Sequence, residues 1–230
     1  RGLEDVYKRQ PTVLVMMQPD FGTAFVFICI MVFIYFIGRI SWGYILTAAG
    51  GLAVCMPLAY YFVLSDSQRE RIDVFINPES DLQNSGYNVA QSKIAIGSGQ
   101  LTGKGFFSEG TLAQLRFVPE RHTDFIFAGI VEGLGFVGGT IIICLFFALI
   151  FRWIYIAMRT KDSFGTCLVV GVAGMFTAHV FENIGMTIGL MPVTGIPLPF
   201  ISYGGSNLLT NLIGVGIVEN VWMRRQSKKR

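Results

Sequence analysis

The chain has 230 residues, of which 52% are hydrophobic and only 14% charged, and its mean hydropathy is +0.55. Ordinary soluble domains carry roughly 25% charged residues, so the composition excludes that class and fits an integral membrane protein. The net charge of +3 does not argue for a nucleic-acid partner, because the basic excess lies at the two ends and in short loops.

Residues 1–10 are polar, lack the character of a signal peptide and do not resemble the apolar segments after them. They are expected to be an artificially joined or truncated end and stand outside the functional argument. Pro11 to Met17 is apolar but too short to span and resembles the last turns of a helix. Gln18-Pro19-Asp20 then interrupts the chain, and Asp20 is placed to cap the next helix. A spanning helix needs about 20 mostly apolar residues. Phe21 to Gly38, extendable through Ile40, supplies one; Trp42 to Leu64, Phe125 to Met158, Phe164 to Leu190 and Phe200 to Met223 supply four more. The expected fold is therefore an all-α polytopic membrane protein with five full transmembrane helices and a partial one.

Lysine and arginine set the expected orientation. The tail Arg224 to Arg230 is strongly basic and reads as cytoplasmic (224–230), as do the loop with Arg159 and Lys161 and the turn at Arg39. Helices then occupy 11–64 and 125–223, and residues 65–124 form a large extracytoplasmic loop. That loop is too long for an idle connector and has apolar residues to bury, among them Ile72, Val74, Tyr87, Val89, Ile94 and Phe106. Asn88 to Ile96 reads as a short amphipathic helix between polar turns. Cys29, Cys55, Cys144 and Cys167 all fall inside apolar runs without metal-ligand spacing, and read as small buried residues.

Pro119-Glu120-Arg121-His122-Thr123-Asp124-Phe125-Ile126-Phe127 is the densest chemical signal. Charge, imidazole and hydroxyl stand directly before an apolar run, where membrane meets water. Ionisable residues at such depths are functional candidates. For Asp124 two readings stand side by side, a general base and the N-cap of the helix after it.

Several motifs together resemble a known family. They are Gln18-Pro19-Asp20-Phe21-Gly22-Thr23-Ala24; Gly86-Tyr87-Asn88 with Gln91 to Gly99; Gly103-Lys104-Gly105; Pro119 to Phe127; and Pro192 to Pro199 with Ser202-Tyr203-Gly204-Gly205-Ser206. Their order and spacing resemble the SEDS family of shape, elongation, division and sporulation proteins, most closely its elongation members, over about Pro11 to Met223. The resemblance implies a ten-helix bundle of which this chain holds the second half, so that the chain alone is not expected to be active. It implies polymerisation of lipid II into glycan strands of peptidoglycan on the outer face of the bacterial cytoplasmic membrane. The implied partners are lipid II, the undecaprenyl-pyrophosphate-linked glycan, membrane lipids and a class B penicillin-binding protein. No cofactor is fixed by the resemblance, and a divalent cation stays open. Two departures are visible: Glu132-Gly133 stands where two acidic residues are common, and Glu182 where an apolar residue is usual.

The resemblance assigns the essential carboxylate to Asp124. Glycosyl transfer from a lipid pyrophosphate requires a base for the acceptor hydroxyl, an oxocarbenium-like transition state and a stabilised leaving group. Glu120 either tunes Asp124 or pairs with Arg121. His122 relays protons or only forms surface hydrogen bonds, and Thr123 caps or orients. Lys93, Lys104 and Arg116 bind pyrophosphate or meet lipid headgroups. Gln91 and Ser92 contact sugar and peptide or satisfy local backbone. Glu132, inside the membrane, needs a partner or a proton and could tune the site. His179, Glu182 and Asn183 share one helix face and read as interhelical hydrogen-bonding groups. Two other functions remain in view: a lipid II flippase, which would set its polar residues along a transbilayer path, and a noncatalytic scaffold, which would tolerate loss of Asp124.

Overall fold

A computed structural model describes residues 20–37, 43, 50, 60, 66–77, 85–105 and 122–227. Every regular element among them is helical: α1 (Phe21–Ile37), α2 (Asp66–Ile76), α3 (Ser85–Ser98), α4 (Ile126–Arg159), α5 (Ser163–Thr187) and α6 (Gly205–Ser227). The expected segments 1–10 and Pro11 to Met17, the turn at Arg39, and Glu120 and Arg116 lie outside the described residues. So does the expected helix Trp42 to Leu64, apart from Gly43, Gly50 and Tyr60.

α4 and α5 are long and apolar enough to cross a membrane. α1 is equally apolar but shorter, at 17 residues. Asp20 caps α1 as expected, accepting from Thr23 N (3.0 Å) and Thr23 Oγ1 (2.7 Å). α5 begins on Asp162, whose carboxylate accepts from Gly165 N. The last helix differs from expectation. Pro197, Pro199 and a positive φ of 62° at Phe200 keep the chain irregular, so α6 starts at Gly205, not Phe200, and continues to Ser227.

α5 is the centre of the bundle and packs against α1, α4, α6 and, near its end, α3. Its small and β-branched side chains allow close approach: Val169, Val170, Ala173 and Phe176 are buried with Trp153, Ile156 and Ala157 of α4 and Val218 of α6. Trp153 meets Phe176 edge to face at 4.7 Å. The outward faces are apolar instead of charged, with Phe136, Leu145, Phe151, Phe164, Leu209 and Ile213 exposed. Apolar surface on this scale requires lipid or a partner to cover it.

α4 is not continuous. Gly135 has φ 72° and ψ −173°, outside the helical region. In an unbroken helix Phe136 N would donate to the Glu132 carbonyl and Val137 N to that of Gly133. Here Phe136 N donates to Gln100 O (2.8 Å) and Val137 N to Leu101 O (3.1 Å), while Lys104 N reaches Glu132 O (3.0 Å) and Gly105 N reaches Gly133 O (2.9 Å). The loop after α3 is thus spliced into the helix, and four bonds replace two. This satisfies backbone that lipid could not.

Candidate functional site

The residues His122 to Asp124 occupy a turn just before α4. Phe125 stands at the N-cap position and its own side chain makes no capping bond; Asp124 lies one residue before it. Its backbone is held from across the bundle. Tyr203 N donates to the His122 carbonyl (2.9 Å), Ser202 Oγ to the Thr123 carbonyl (2.6 Å), and Asn183 Nδ2 to the Asp124 carbonyl (2.8 Å). Three consecutive peptide groups are therefore fixed by groups of α5 and of the segment before α6.

The same donors shape the loop between α5 and α6. Asn183 Nδ2 also donates to Ile196 O (2.8 Å), and Ser202 Oγ accepts from Leu198 N (2.8 Å). This loop lies directly beside the carboxylate: a Cβ on Gly195 would stand 3.5 Å from Asp124 Oδ2. The start of α1 packs on this same loop, where Gly22 abuts Thr194 and Ile196. The first and fourth sequence motifs thus both meet the loop of the fifth, the loop that lies beside Asp124. Phe125, 1% exposed, anchors the turn against Val89 of α3 and Val193.

The outer helix α3 carries the second motif. Ser92 is fully buried, and its hydroxyl donates to the Thr187 carbonyl at the end of α5. Thr187 Oγ1 in turn donates to Asn183 O. Gln91 is partly exposed. Lys93 lies over Gly189 and lines an apolar cleft with Arg71, Val89, Pro192 and Val193. His122 is exposed and Thr123 half-buried.

Lys104 and Glu132 form a second group at the break in α4. Lys104 Nζ lies 3.6 Å from Glu132 Oε1, and Ser98 Oγ reaches the same oxygen at 3.4 Å. Glu132 is 1% exposed, so it has the partner that a carboxylate at this depth needs. Deeper in α5, His179 Nδ1 and both Glu182 carboxyl oxygens are buried without a hydrogen-bond partner. Among the described residues, the bonds shown for this face are those of the Asn183 side chain, and they run to the carbonyls of Asp124 and Ile196, outside the helices, not from helix to helix. No cluster of three His, Cys, Asp or Glu side chains occurs among the described residues.

The sequence profile of a family described as cell cycle proteins, FtsW/RodA/SpoVE, matches residues 6–227. The chain belongs to this family. It is 44% identical over 225 residues to the peptidoglycan glycosyltransferase MrdB of Escherichia coli K12, covering 98% of this chain and 60% of that protein. The structure resembles a chain of a peptidoglycan synthase complex solved for the structural coordination of polymerization and crosslinking, with TM-score 0.78 and 30% identity, over 97% of this chain and 62% of that one. It also resembles a mutant of the rod shape determining protein RodA of Thermus thermophilus, with TM-score 0.64 and 26% identity, over 98% of this chain and 57% of that one. The chain therefore spans about 60% of the length of the curated relative. The family resemblance read from the five motifs is borne out.

The sequence singles out Asp124 as a candidate and names the motif segments that the structure places beside its turn. Sequence reasoning missed that Asn183 and Ser202 hold the Asp124 turn. Asn183 carried a local signal, a polar residue inside an apolar helix. Ser202 stands in the fifth motif, inside the span Phe200 to Met223 expected to be helical, whereas the helix begins at Gly205.

Proposed function

We propose that the complete protein is a peptidoglycan glycosyltransferase that polymerises lipid II, with Asp124 as the general base. The observation that carries this reading is the fixing of the Asp124 turn by Asn183, Ser202 and Tyr203, with the loop of the fifth motif beside its partly exposed carboxylate, at the end of the bundle opposite the basic tail. In the reaction, Asp124 takes the proton of the acceptor sugar hydroxyl as its oxygen attacks the anomeric carbon of the donor. The bond from that carbon to the pyrophosphate oxygen breaks, and the lipid pyrophosphate departs. Pre-positioning of the base is the contribution the fold makes to the barrier.

The name of the 44% identical relative, peptidoglycan glycosyltransferase, supports the activity. The likeness to a chain of a peptidoglycan synthase complex supports a crosslinking partner, read as a class B penicillin-binding protein. The full architecture proposed is a ten-helix bundle in the cytoplasmic membrane, with five complete helices in this half and Asp124 on the outer face. Lys93, Lys104 and Arg116 are the proposed cations for the leaving group. A transport reading would need Glu132, His179, Glu182 and Asn183 to line one path. Glu132 is paired with Lys104 and Asn183 holds two backbone carbonyls, which favours polymerisation.

The test is glycan polymerisation from purified lipid II by the full-length protein with its partner. Asp124→Asn is expected to abolish product while expression and partner binding persist. Normal polymerisation by that variant would remove Asp124 as the base.

A further inference from the structure

Asn183 is fully buried in α5, and its side chain faces two acceptors, the carbonyls of Asp124 and Ile196. Only the amide nitrogen can satisfy both, which fixes the orientation of the group. One acceptor belongs to the segment before α4 and the other to the loop beside the Asp124 carboxylate. A single NH₂ therefore sets the distance between the carboxylate and the wall it faces. Asp124 precedes the first helical turn, since Phe125 is the N-cap, so the regular helix does not hold its peptide.

We propose that Asn183 is a positioning residue for Asp124, with Ser202 as its second point of support through the Thr123 carbonyl. This rests on the reading of Asp124 as the base. The two bonds act on adjacent peptide groups, so their loss moves the carboxylate by displacing the Cα that carries it. A chain of buried bonds extends the support outward: Thr187 Oγ1 donates to the Asn183 carbonyl and Ser92 Oγ to the Thr187 carbonyl. The outer helix α3 is thereby tied to the helix that orients the base. Ser92 acts in this arrangement through its bond to the Thr187 carbonyl.

The experiment compares four variants of the full-length protein with its partner: Asn183→Asp, Asn183→Leu, Ser202→Ala and Asn211→Leu. Asn183→Asp keeps the shape but removes the NH₂. Asn211 is equally buried, in α6, and among the described residues its amide donates to Asn207 on its own helix, so Asn211→Leu reports the general cost of losing a buried amide. Melting temperature, kcat and KM for lipid II are measured for each. The Asn183 variants are expected to lose about tenfold to a hundredfold in kcat, the scale of a misplacement of about 1 Å, with KM changed less than about threefold. Asn211→Leu is expected to keep kcat whatever it does to melting. A kcat within about twofold of wild type in a folded Asn183 variant overturns the proposal, as does an equal kcat loss in Asn211→Leu. If both Asn183 variants fail to fold, Ser202→Ala decides by the same criteria. Asp124→Asn, run in parallel, separates the two readings: if it is inactive while the Asn183 variants are normal, only the positioning role falls.

Discussion

At the scale of single residues, the Asp124 site depends on a space as much as on groups. Gly195 has φ +75°, a conformation that side chains rarely adopt, and its Cα faces Asp124 Oδ2. Gly195→Ala adds backbone strain, costing about 1 kcal/mol or more, and places a methyl in contact with the carboxylate. The expected result is a lowered melting temperature together with reduced polymerisation. Gly216→Ala is the contrast, because that glycine lies in α6 with nothing near its added Cβ; there, melting is expected to be unchanged or raised by the usual helix gain of about 0.5–1 kcal/mol. Equal behaviour of the two variants would show that the space beside Asp124 has no role. Asp124 itself was legible in the sequence because charge abuts an apolar run, a local contrast. The bond from Asn183 to the Asp124 backbone was not, because the two residues lie 59 apart and no local pattern encodes that pairing. Glu132 stood between: its depth said that it needs a partner, and Lys104 could be named only once the loop was seen in place.

At the scale of elements, the break in α4 is the feature that hydropathy could not give. Phe125 to Met158 reads as one apolar run, and so the helix bounds were found almost to the residue. The break depends on a distant loop whose backbone replaces the helical ladder, and only the density of Gly133, Gly135, Gly138 and Gly139 hinted at it. A Cβ on Gly135 would fall on the Leu101 carbonyl and the Gly103 amide. Its φ and ψ belong to a region that is essentially glycine-only and costs other residues about 1–3 kcal/mol. Gly135→Ala is therefore expected to abolish or severely lower the folded yield in membranes, by fluorescence-detected size exclusion; a yield and melting temperature equal to wild type would contradict the spliced helix. The Lys104–Glu132 pair belongs to the same junction. Lys104→Met leaves a buried carboxylate without this cation, a change that costs about 3–5 kcal/mol for a fully buried pair and less here, since Lys104 is 39% exposed. Adding Glu132→Gln is expected to restore part of the lost stability. If the double variant melts no higher than Lys104→Met alone, the pair is not coupled, and a role for Lys104 at the leaving group becomes the stronger explanation of its loss.

At the scale of the whole molecule, the two ends of the bundle differ in chemistry. One end gathers Asp124, the outer helix α3 and the loop between α5 and α6. At the other, the Arg152 guanidinium lies 5.0 Å from the ring centre of Trp222 and 5.7 Å from that of Tyr155, and Arg159 lies 5.2 Å from Tyr155. Arginine stacked on tyrosine and tryptophan near helix ends is the composition of a membrane interface. The close approach of Arg152 to Trp222 also places the ends of α4 and α6 on one side, as the basic loop and basic tail required. On the proposed reading, the positive-inside tendency puts this end in the cytoplasm and Asp124 outside, on the face where a lipid-linked donor would be consumed. Two single cysteines test the assignment in the full-length protein after Cys29, Cys55, Cys144 and Cys167 have been replaced. Leu190→Cys stands in the exposed turn just past α5, at the end nearest Asp124, and Ser163→Cys at the exposed start of α5 near Arg159. A membrane-impermeant thiol reagent is expected to label Leu190→Cys in intact cells with a permeable outer envelope, and Ser163→Cys only after lysis. The reverse pattern would invert the protein in the membrane and place Asp124 on the cytoplasmic side, where an outer-face polymerase could not use it.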